Sequence, residues 1–502
     1  MRYLVATFAA ISVVLSAAGQ LFAAGELTLT IVDSETKKPM PCRIHLRNDK
    51  DRPQRAANMP FWSDHFVVPG AVKLKLPRGT YQFEIERGPE YVVRGGHFVM
   101  ENLSKDNQVI DLPRVCNLAD EGWWSGDLHV RRPTREIELL MQAEDLHMAA
   151  VSSGPVKNKK KEAARPAPAQ KVKQFDGNRY CDLTAGESST QSGRLLLLNL
   201  DPPPADADVG DVLALLTLAR EKPDAWIDAV RPNSWDLPLW LALGQVDSIE
   251  LCHDQFCRGQ TTDDEQGFPR DQRFMPGAAG IGRWTHEIYY HVLNCGFRIP
   301  PSAGSGSGAA ANPVGYNRMY VWVDKDQFNY ENWWQGFRLG RTFVTNGPLI
   351  RPVADGRVPG HVFRLPAGET LVSQVFVNFA ARDTVRYFEL IRNGRAVRNV
   401  RYEDISQTGR FPPVEFDASG WFLIRAVAEV DNTFRFATSA PWYVEIGDDP
   451  KRISRASVQF FLDWLNERVA ALAEGDFTPK AEKAWADAKS FWEERLAAAN
   501  TD

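Results

Sequence analysis

The stretch that most constrains the fold is GWWSGDLHVRRPTREIELLMQAEDLH, residues 122–147. Its beginning, residues 122–130, predicts a short buried strand that carries Asp127 and His129 near its end. Pro133 then opens a helix, because the apolar residues that follow recur at helical spacing. A strand that delivers Asp-x-His at its carboxyl end, followed by a helix, is typical of barrel enzymes that present metal ligands.

The composition is that of an ordinary globular protein. The chain has 502 residues, 44% of them hydrophobic, and a formal net charge of −5 at pH 7. This length suffices for two to four domains. The slight negative charge argues against a nucleic acid as partner.

Residues 1–24 have the pattern of a secretory signal peptide. Arg2 is followed by an apolar run and then by small residues. The pattern predicts export, to the periplasm or the exterior, with cleavage after Ala23 or Ala24. A membrane anchor is the alternative, but the apolar core is short for a bilayer span. No later segment is long and apolar enough to cross, so no stable membrane span is expected after cleavage.

Short strands separated by Gly and Pro predict a small β-sandwich over residues 25–115. An example is the alternating run ELTLTIVD at 26–33. The run LPRGTYQFEIERGPEY at 76–91 resembles carboxypeptidase regulatory-like domains, which are sandwiches of the transthyretin type. The resemblance implies a spacer or a carbohydrate-side module rather than a catalytic one.

The middle of the chain alternates strands and helices. Between 195 and 253, apolar runs of strand length, such as residues 246–253, alternate with helical patterns, such as residues 212–220. This alternation predicts an α/β fold with a parallel sheet or barrel. The Lys-, Ala- and Pro-rich residues at about 154–174 predict a disordered insert in this domain, because they lack apolar periodicity.

The last third of the chain predicts two further parts. Residues 351–448 read as a second β-sandwich, in which Asn393-Gly394 is a two-residue hairpin turn. Residues 449–502 predict a helical hairpin, because two apolar stripes recur at helical spacing on either side of Gly475. We expect these aromatic-rich stripes to pack on the body of the protein.

Six cysteines are too few for a disulfide scaffold. Cys252-His253-x-x-x-Cys257 suggests zinc, but a structural zinc site needs four ligands and no second pair stands at matching spacing. Buried thiols or a local disulfide are the alternatives.

Six motifs of the central region, taken together, resemble the PHP superfamily (polymerase and histidinol phosphatase). More narrowly, they are similar to its carbaryl-hydrolase-like branch of exported metallohydrolases. The resemblance covers roughly residues 120–350 and implies a distorted seven-stranded β/α barrel over residues 116–350. The motifs are GWWSGDLHV at 122–130, ELLMQAEDLHMAAV at 138–151, NSWDLPLWLALGQVDSIEL at 233–251, RWTHEIYYHVLNCGFRIPPSAGSGSG at 283–308, NPVGYNRMYV at 312–321 and GRTFVTNGPLI at 340–350.

The resemblance also implies a set of site residues. His129, His147 and His253 would hold a divalent metal, zinc or manganese. Glu144 and Asp127 would be the catalytic carboxylates. The sequence departs from the family at other ligand positions. Arg131 stands where active relatives carry the second histidine of His-x-His, and glycines stand at 306 and 308 in place of Asp and His.

Two hypotheses follow from these residues. The first is a divergent metal-dependent hydrolase of esters, amides or phosphoesters with a reduced metal site. The second is a catalytically inactive pseudoenzyme without a metal, an exported module that binds a carbohydrate, an anion or another small molecule. In the second, Arg131 occupies the vacated position as a fixed cation and binds an anionic group. The lost ligands favour the second hypothesis.

Overall fold

The computed structural model describes residues 24–152, 170–190, 192–200, 212–263, 266–448, 451–472 and 479–502. The predicted signal peptide lies outside the described residues except for Ala24. Most of the predicted disordered insert also lies outside them. Its last residues enter a strand, Val172–Phe175, that pairs antiparallel with a longer strand of the central sheet.

The N-terminal module consists of eight strands in two sheets that share one core. Alternation of apolar and polar residues explains this arrangement, because every second side chain of a strand faces the same side. The strands are β1 (Gly25–Asp33), β2 (Cys42–Asn48), β3 (Phe61–Trp62), β4 (His65–Val68), β5 (Ala71–Leu76), β6 (Gly79–Glu86), β7 (Arg94–Met100) and β8 (Lys105–Leu112). The sheets have the orders β5-β1-β8 and β3-β4-β2-β6-β7.

The central region holds ten strands and five α-helices. The strands are β9 (Trp123–Val130), β10 (Met148–Ser152), β11 (Val172–Phe175), β12 (Arg179–Thr190), β13 (Gly193–Leu198), β14 (Trp226–Ala229), β15 (Ser248–Cys252), β16 (Pro301–Ala303), β17 (Arg318–Trp322) and β18 (Thr342–Thr345). The helices are α1 (Ile137–Ala143), α2 (Val212–Arg220), α3 (Leu237–Ala242), α4 (Gly277–Asn294) and α5 (Tyr330–Arg338), with 3-10 turns at Ala119–Glu121, Thr134–Glu136 and Lys325–Gln327.

The C-terminal region continues with ten strands, a short helix and two long helices. The strands are β19 (Leu349–Ala354), β20 (Val362–Leu365), β21 (Leu371–Ser373), β22 (Val375–Ala380), β23 (Val385–Arg392), β24 (Arg395–Arg401), β25 (Val414–Phe416), β26 (Gly420–Ala428), β27 (Phe436–Ser439) and β28 (Trp442–Ile446). The helices are α6 (Tyr402–Thr408), α7 (Arg455–Ala470) and α8 (Pro479–Ala497).

The predicted α/β fold with a seven-stranded β/α barrel is wrong. The protein is mostly β, with 40% strand and 23% helix, and its main feature is a large curled sheet. Thirteen strands of this sheet follow one another in a single path, and β11, β20 and β28 pair beside that path. The order in this sheet is β16-β15-β14-β13-β12-β10-β9-β17-β18-β27-β26-β23-β24. From β9 the sheet runs on through antiparallel strands into the C-terminal region.

Two pairings explain the error. β12 and β13 pair antiparallel across a connection of two residues, and β13 pairs antiparallel with β14. A two-residue connection gives antiparallel strands, whereas a parallel pair needs a long crossover. The connection from β13 to β14 is long and contains α2, yet these two strands also pair antiparallel. The alternation of strands and helices between 195 and 253 was therefore an insufficient guide to strand direction.

The two C-terminal helices α7 and α8 pack on the central region. Trp464 and Trp492 are fully buried, and the Phe268 ring stacks on Trp464 at 4.1 Å between centroids. The Trp492 indole donates to the Pro238 carbonyl over 3.0 Å, and Arg468 Nε donates to Asp236 Oδ1 over 2.7 Å. The aromatic stripes of these helices are core.

Two further observations concern the cysteines and the membrane. All six cysteines are free thiols, and five are buried. Cys252 and Cys257 form no disulfide; Cys257 Sγ instead lies 3.4 Å from the Asp254 carbonyl. Within the described ranges, no helix has the length and apolarity needed to cross a membrane.

Candidate functional site

A cavity of about 820 Å³ lies where charged residues in or after five strands of the large sheet meet. We call it the arginine cavity, because Arg131, Arg194 and Arg231 line it. Its other charged lining residues are Glu187 and Asp254. Glu187 lies in β12 and Arg194 lies in β13. Arg131, Arg231 and Asp254 follow the ends of β9, β14 and β15, respectively. Adjacent strands of one sheet thus bring residues 123 positions apart in sequence to one wall.

Two carboxylates hold the three guanidinium groups in place. Asp254 accepts from Arg194 Nη2 over 2.6 Å and from Arg231 Nε over 3.0 Å. Glu187 Oε2 lies 3.3 Å from Arg131 Nε. The arginine side chains keep 15–20% of their surface exposed, whereas Glu187 and Asp254 are almost fully buried. The carboxylates therefore lie behind the guanidinium groups, which face the cavity.

The charges of these groups follow from their contacts. Burial opposes ionisation of Asp254, but the charges of Arg194 and Arg231 outweigh it and hold the Asp254 pKa well below its usual range. Burial also opposes ionisation of Glu187, but His129 and then Arg131 lower its pKa to about 2. Both carboxylates are therefore ionised at neutral pH.

His129 lies behind Glu187 and is fully buried. Its Nε2 is 3.3 Å from Glu187 Oε2, and its Nδ1 is 3.7 Å from Glu250 Oε1. Burial opposes protonation of His129, but these two carboxylates raise its pKa to about 10. Between these two carboxylates His129 is an imidazolium at neutral pH.

Two further acids lie deeper, beyond His129. Burial raises the pKa of Glu250 to about 8, and neither carboxylate oxygen of Glu250 has a hydrogen-bond partner among the described residues. Burial raises the pKa of Asp228 to about 7, although its Oδ1 accepts from Ser248 Oγ over 2.5 Å and from Ser302 Oγ over 2.6 Å. This layer is only partly ionised at neutral pH.

The loop at 304–308 packs directly against the end of β9. Arg131 N donates to the Ser307 carbonyl over 2.7 Å, and a side chain at Gly308 would meet the Arg131 carbonyl oxygen at 2.3 Å. A side chain at Gly304 would lie 2.3 Å from Glu250 Oε1 and 2.4 Å from His129 Cβ. Close packing against Arg131, His129 and Glu250 explains the glycines at 304 and 308.

Asp127 ties this loop to β9. Its carboxylate accepts from three backbone amides, those of His129 and Ser305 over 3.0 Å each and that of Gly315 over 2.7 Å. It is fully buried and lines neither the arginine cavity nor another described cavity. These contacts hold the loop against β9, and the catalytic role that the resemblance implies for Asp127 stays a prediction.

Glu144 lies in a different place from His129. It accepts from Arg43 Nη1 over 2.7 Å and lies 3.7 Å from Arg318 Nη2, at a second cavity of about 370 Å³. This cavity lies where the N-terminal module meets the central and C-terminal regions, and Arg382 also lines it. Glu144 therefore belongs to an ion-pair network at the junction of the three parts.

His147 and His253 have partners of their own. His147 Nδ1 lies 2.9 Å from Ser125 Oγ, and its ring meets Trp124 edge to face at 4.9 Å. His253 Nε2 lies 3.2 Å from Thr285 Oγ1. Burial lowers the pKa of each ring to about 3. Across the described ranges, His129, His147 and His253 do not form a group with metal-binding spacing. Their role as metal ligands stays a prediction.

Sequence reasoning missed Glu187, Arg194, Asp254 and Glu250. Asp254 directly follows the predicted strand at 246–253, and charged residues at strand ends often face a common cavity. Glu250 stands inside an apolar strand, where a buried carboxylate is unusual. Glu187 and Arg194 gave no comparable signal, because they lie within an antiparallel hairpin that was not predicted.

Comparison with protein-family models and with curated proteins gives no match. Among solved structures, the Bacillus anthracis TIE protein matches part of the chain with 17% sequence identity and a TM-score of 0.15. The match covers 22% of this chain and 20% of that chain. The geometry of the site is therefore the basis for a proposed function.

Proposed function

We propose that the chain is a binding protein whose arginine cavity takes a polyhydroxylated anion, such as an acidic sugar. The observation that carries this proposal is the set of three guanidinium groups on one cavity wall, each contacting a buried carboxylate. Arginine is the residue best suited to carboxylate, sulfate or phosphate groups, because its donors form a planar fork.

The charge balance of the wall supports an anion. Three guanidinium groups and the His129 imidazolium face two ionised carboxylates, Glu187 and Asp254. The wall is therefore positive overall, and the attraction is strengthened by the low dielectric constant near buried groups. The carboxylates already position the guanidinium groups in the ligand-free protein, so binding requires little reorganisation of these side chains.

The rest of the lining supports a ligand rich in hydroxyl groups. Half of the other lining residues are neutral and polar, and hydroxyl and amide side chains both donate and accept hydrogen bonds. Trp62 adds an aromatic side chain to this wall. A cavity of about 820 Å³ is of the size that small-molecule sites usually have. The neutral polar residues are Ser189, Thr190, Ser192, Asn233, Ser234, Gln260, Thr262 and Gln266.

Binding of D-glucuronate tests the proposal, with D-glucose as the uncharged control and sulfate as the anion without hydroxyl groups. We expect glucuronate to bind most tightly, since it supplies both features. Arg194→Gln is expected to weaken its binding about 10- to 100-fold, because a hydrogen bond to a charged group contributes about 1.5–3 kcal/mol. Isothermal titration calorimetry measures the dissociation constants.

Arg273→Gln is the matched control, because Arg273 keeps 83% of its side chain exposed and is not among the cavity's lining residues. Glucose binding as tightly as glucuronate, or equal affinities in the wild type and Arg194→Gln, would contradict the proposal.

The metal-dependent hydrolase is a second candidate, and one observation favours it. Both oxygens of Glu250 and Oδ2 of Asp228 lack hydrogen-bond partners among the described residues, and a cation could satisfy them. His129 lies between Glu187 and Glu250, and a cation bound there would compete with its proton.

Metal analysis separates the two candidates. A hydrolase with His129 as a ligand predicts bound zinc or manganese that disappears in His129→Ala and ester hydrolysis that disappears with it. The binding protein predicts that His129→Ala leaves the metal content unchanged, and loss of a bound metal in this variant would contradict it. Inductively coupled plasma mass spectrometry measures the content.

A further inference from the structure

Two histidines of the N-terminal module face each other across a pair of strands. β2 and β4 pair antiparallel, and His45 is the register partner of His65. Directly opposed residues of an antiparallel pair point to the same side of the sheet. The two imidazole rings lie 5.2 Å apart between centroids. Asp64 precedes His65 in the turn between β3 and β4, so three metal-ligating side chains meet at one point.

The distances among these side chains suit a single metal ion. Asp64 Oδ2 lies 3.1 Å from His45 Nδ1, and Asp64 Oδ1 lies 3.2 Å from His65 Nδ1. One ligand atom from each of the three residues lies within 4.8 Å of the others. In a tetrahedral zinc site, bonds of about 2.0–2.1 Å place ligand atoms roughly 3.3 Å apart. Small side-chain adjustments would therefore complete the geometry.

The buried nitrogens of His45 are the second observation. His45 is only 4% exposed, and neither ring nitrogen makes a hydrogen bond of acceptable geometry within the described residues. A buried polar atom without a partner costs free energy, which a metal bond would remove. His65 is equally buried, at 3%. The Asp64 side chain is 27% exposed and leaves an approach from solvent.

Some of the charged groups around His45, Asp64 and His65 favour a bound cation, and others oppose it. Arg47 Nη2 donates to Asp64 Oδ2 over 3.1 Å, and such a contact fixes a ligating carboxylate and leaves its other oxygen for the metal. Arg43 and Arg258 lie near His45 and oppose a cation there. Glu86, whose Oε1 lies 4.0 Å from His45 Nε2, is bonded to both arginines and offsets their charge.

We propose that His45, Asp64 and His65 form a metal site that binds Zn²⁺ and keeps a fourth position open to water. Two imidazoles and one carboxylate are a common ligand set for zinc. This site is separate from the arginine cavity, and the proposal does not rest on the proposed function.

The site has a structural consequence for the cavity. Trp62 of β3 is the register partner of His65, and its indole donates to the Ala310 carbonyl over 2.8 Å. Trp62 and Ala310 both line the arginine cavity. A metal that ties His65 to His45 would fix the β3–β4 hairpin on β2, and with it the position of Trp62.

Titration of the metal-free full chain with Co²⁺ tests the site, because protein-bound Co²⁺ absorbs in the visible range. We expect one tight equivalent per chain, displaced by Zn²⁺, and a higher thermal midpoint when Zn²⁺ is present. His65→Gln and Asp64→Asn are each expected to abolish the tight equivalent. His361→Gln is the matched control, because His361 lies in the C-terminal region and lines none of the described cavities. His97→Gln is a separate test, because His97 lines the same cavity as His45.

Asp64→Asn keeps the test decisive if His65→Gln fails to fold, because Asp64 is partly exposed in a turn. Failure of the folded wild type to bind Co²⁺ or Zn²⁺ would overturn the proposal. Retention of the tight equivalent in Asp64→Asn would overturn it as well, and would leave Asp64 as an acceptor that orients two imidazoles. Binding lost only in His97→Gln or His129→Ala would also contradict it.

Discussion

Replacing Arg43 with methionine is expected to destabilise the protein by about 3–5 kcal/mol. Arg43 is only 2% exposed and joins two buried carboxylates, with Nη1 2.7 Å from Glu144 Oε1 and Nη2 2.7 Å from Glu86 Oε2. Methionine keeps much of the side-chain volume but removes the charge. Glu144 would then keep Arg318, at 3.7 Å, and the charge of Arg382, and an incompletely compensated buried charge is costly.

The denaturation midpoint in urea, followed by tryptophan fluorescence, measures this effect. Arg78→Met is the control, because Arg78 is 66% exposed and its ion pair with Glu101 contributes at most about 1 kcal/mol. A loss below 1 kcal/mol in Arg43→Met would show that neighbouring arginines replace Arg43. A loss of stability of about 3–5 kcal/mol would show that the contacts of Arg43 with Glu144 and Glu86 stabilise the junction of the three parts.

The second large effect is a change of stability with pH that Asp228→Asn removes. Burial raises the Asp228 pKa from 3.8 to about 7, so the folded state holds a proton that the unfolded state releases at lower pH. The contribution of this group is fully present below about pH 4 and is lost as the pH rises through 7. The raised pKa corresponds to about 4 kcal/mol at 1.4 kcal/mol per unit.

Asparagine cannot ionise, and its oxygen can still accept from the two serines that contact Asp228. We therefore expect Asp228→Asn to gain on the order of 4 kcal/mol relative to the wild type between pH 4 and pH 8. Urea unfolding at pH 4, 6 and 8 measures the difference. Asp224→Asn is the control, because Asp224 is 74% exposed. A stability difference between Asp228→Asn and the wild type that does not change with pH would contradict the expectation.

The candidate site was only partly predictable from the sequence. The sequence singled out Arg131, His129 and the glycines at 306 and 308, and in the structure the loop at 304–308 packs against the end of β9. The groups that set their charge were not predictable. Glu187 is 58 residues from His129 in sequence, and only the pairing order of the sheet brings them together. The His45–His65 pair likewise depends on the register of two strands, which no local pattern specifies.

Helices and tight turns could be predicted from the sequence, because they depend on interactions between residues that are close in the chain. The helix predicted at 212–220 is α2, and Asn393-Gly394 turns the β23–β24 hairpin with φ angles of 49° and 85°. Such features depend on neighbouring residues alone. The strand directions, the order of the 13 strands along the large sheet and the partners of each buried charge could be known only from the tertiary structure. Those depend on contacts between distant segments, where burial and charge pairing outweigh local preference.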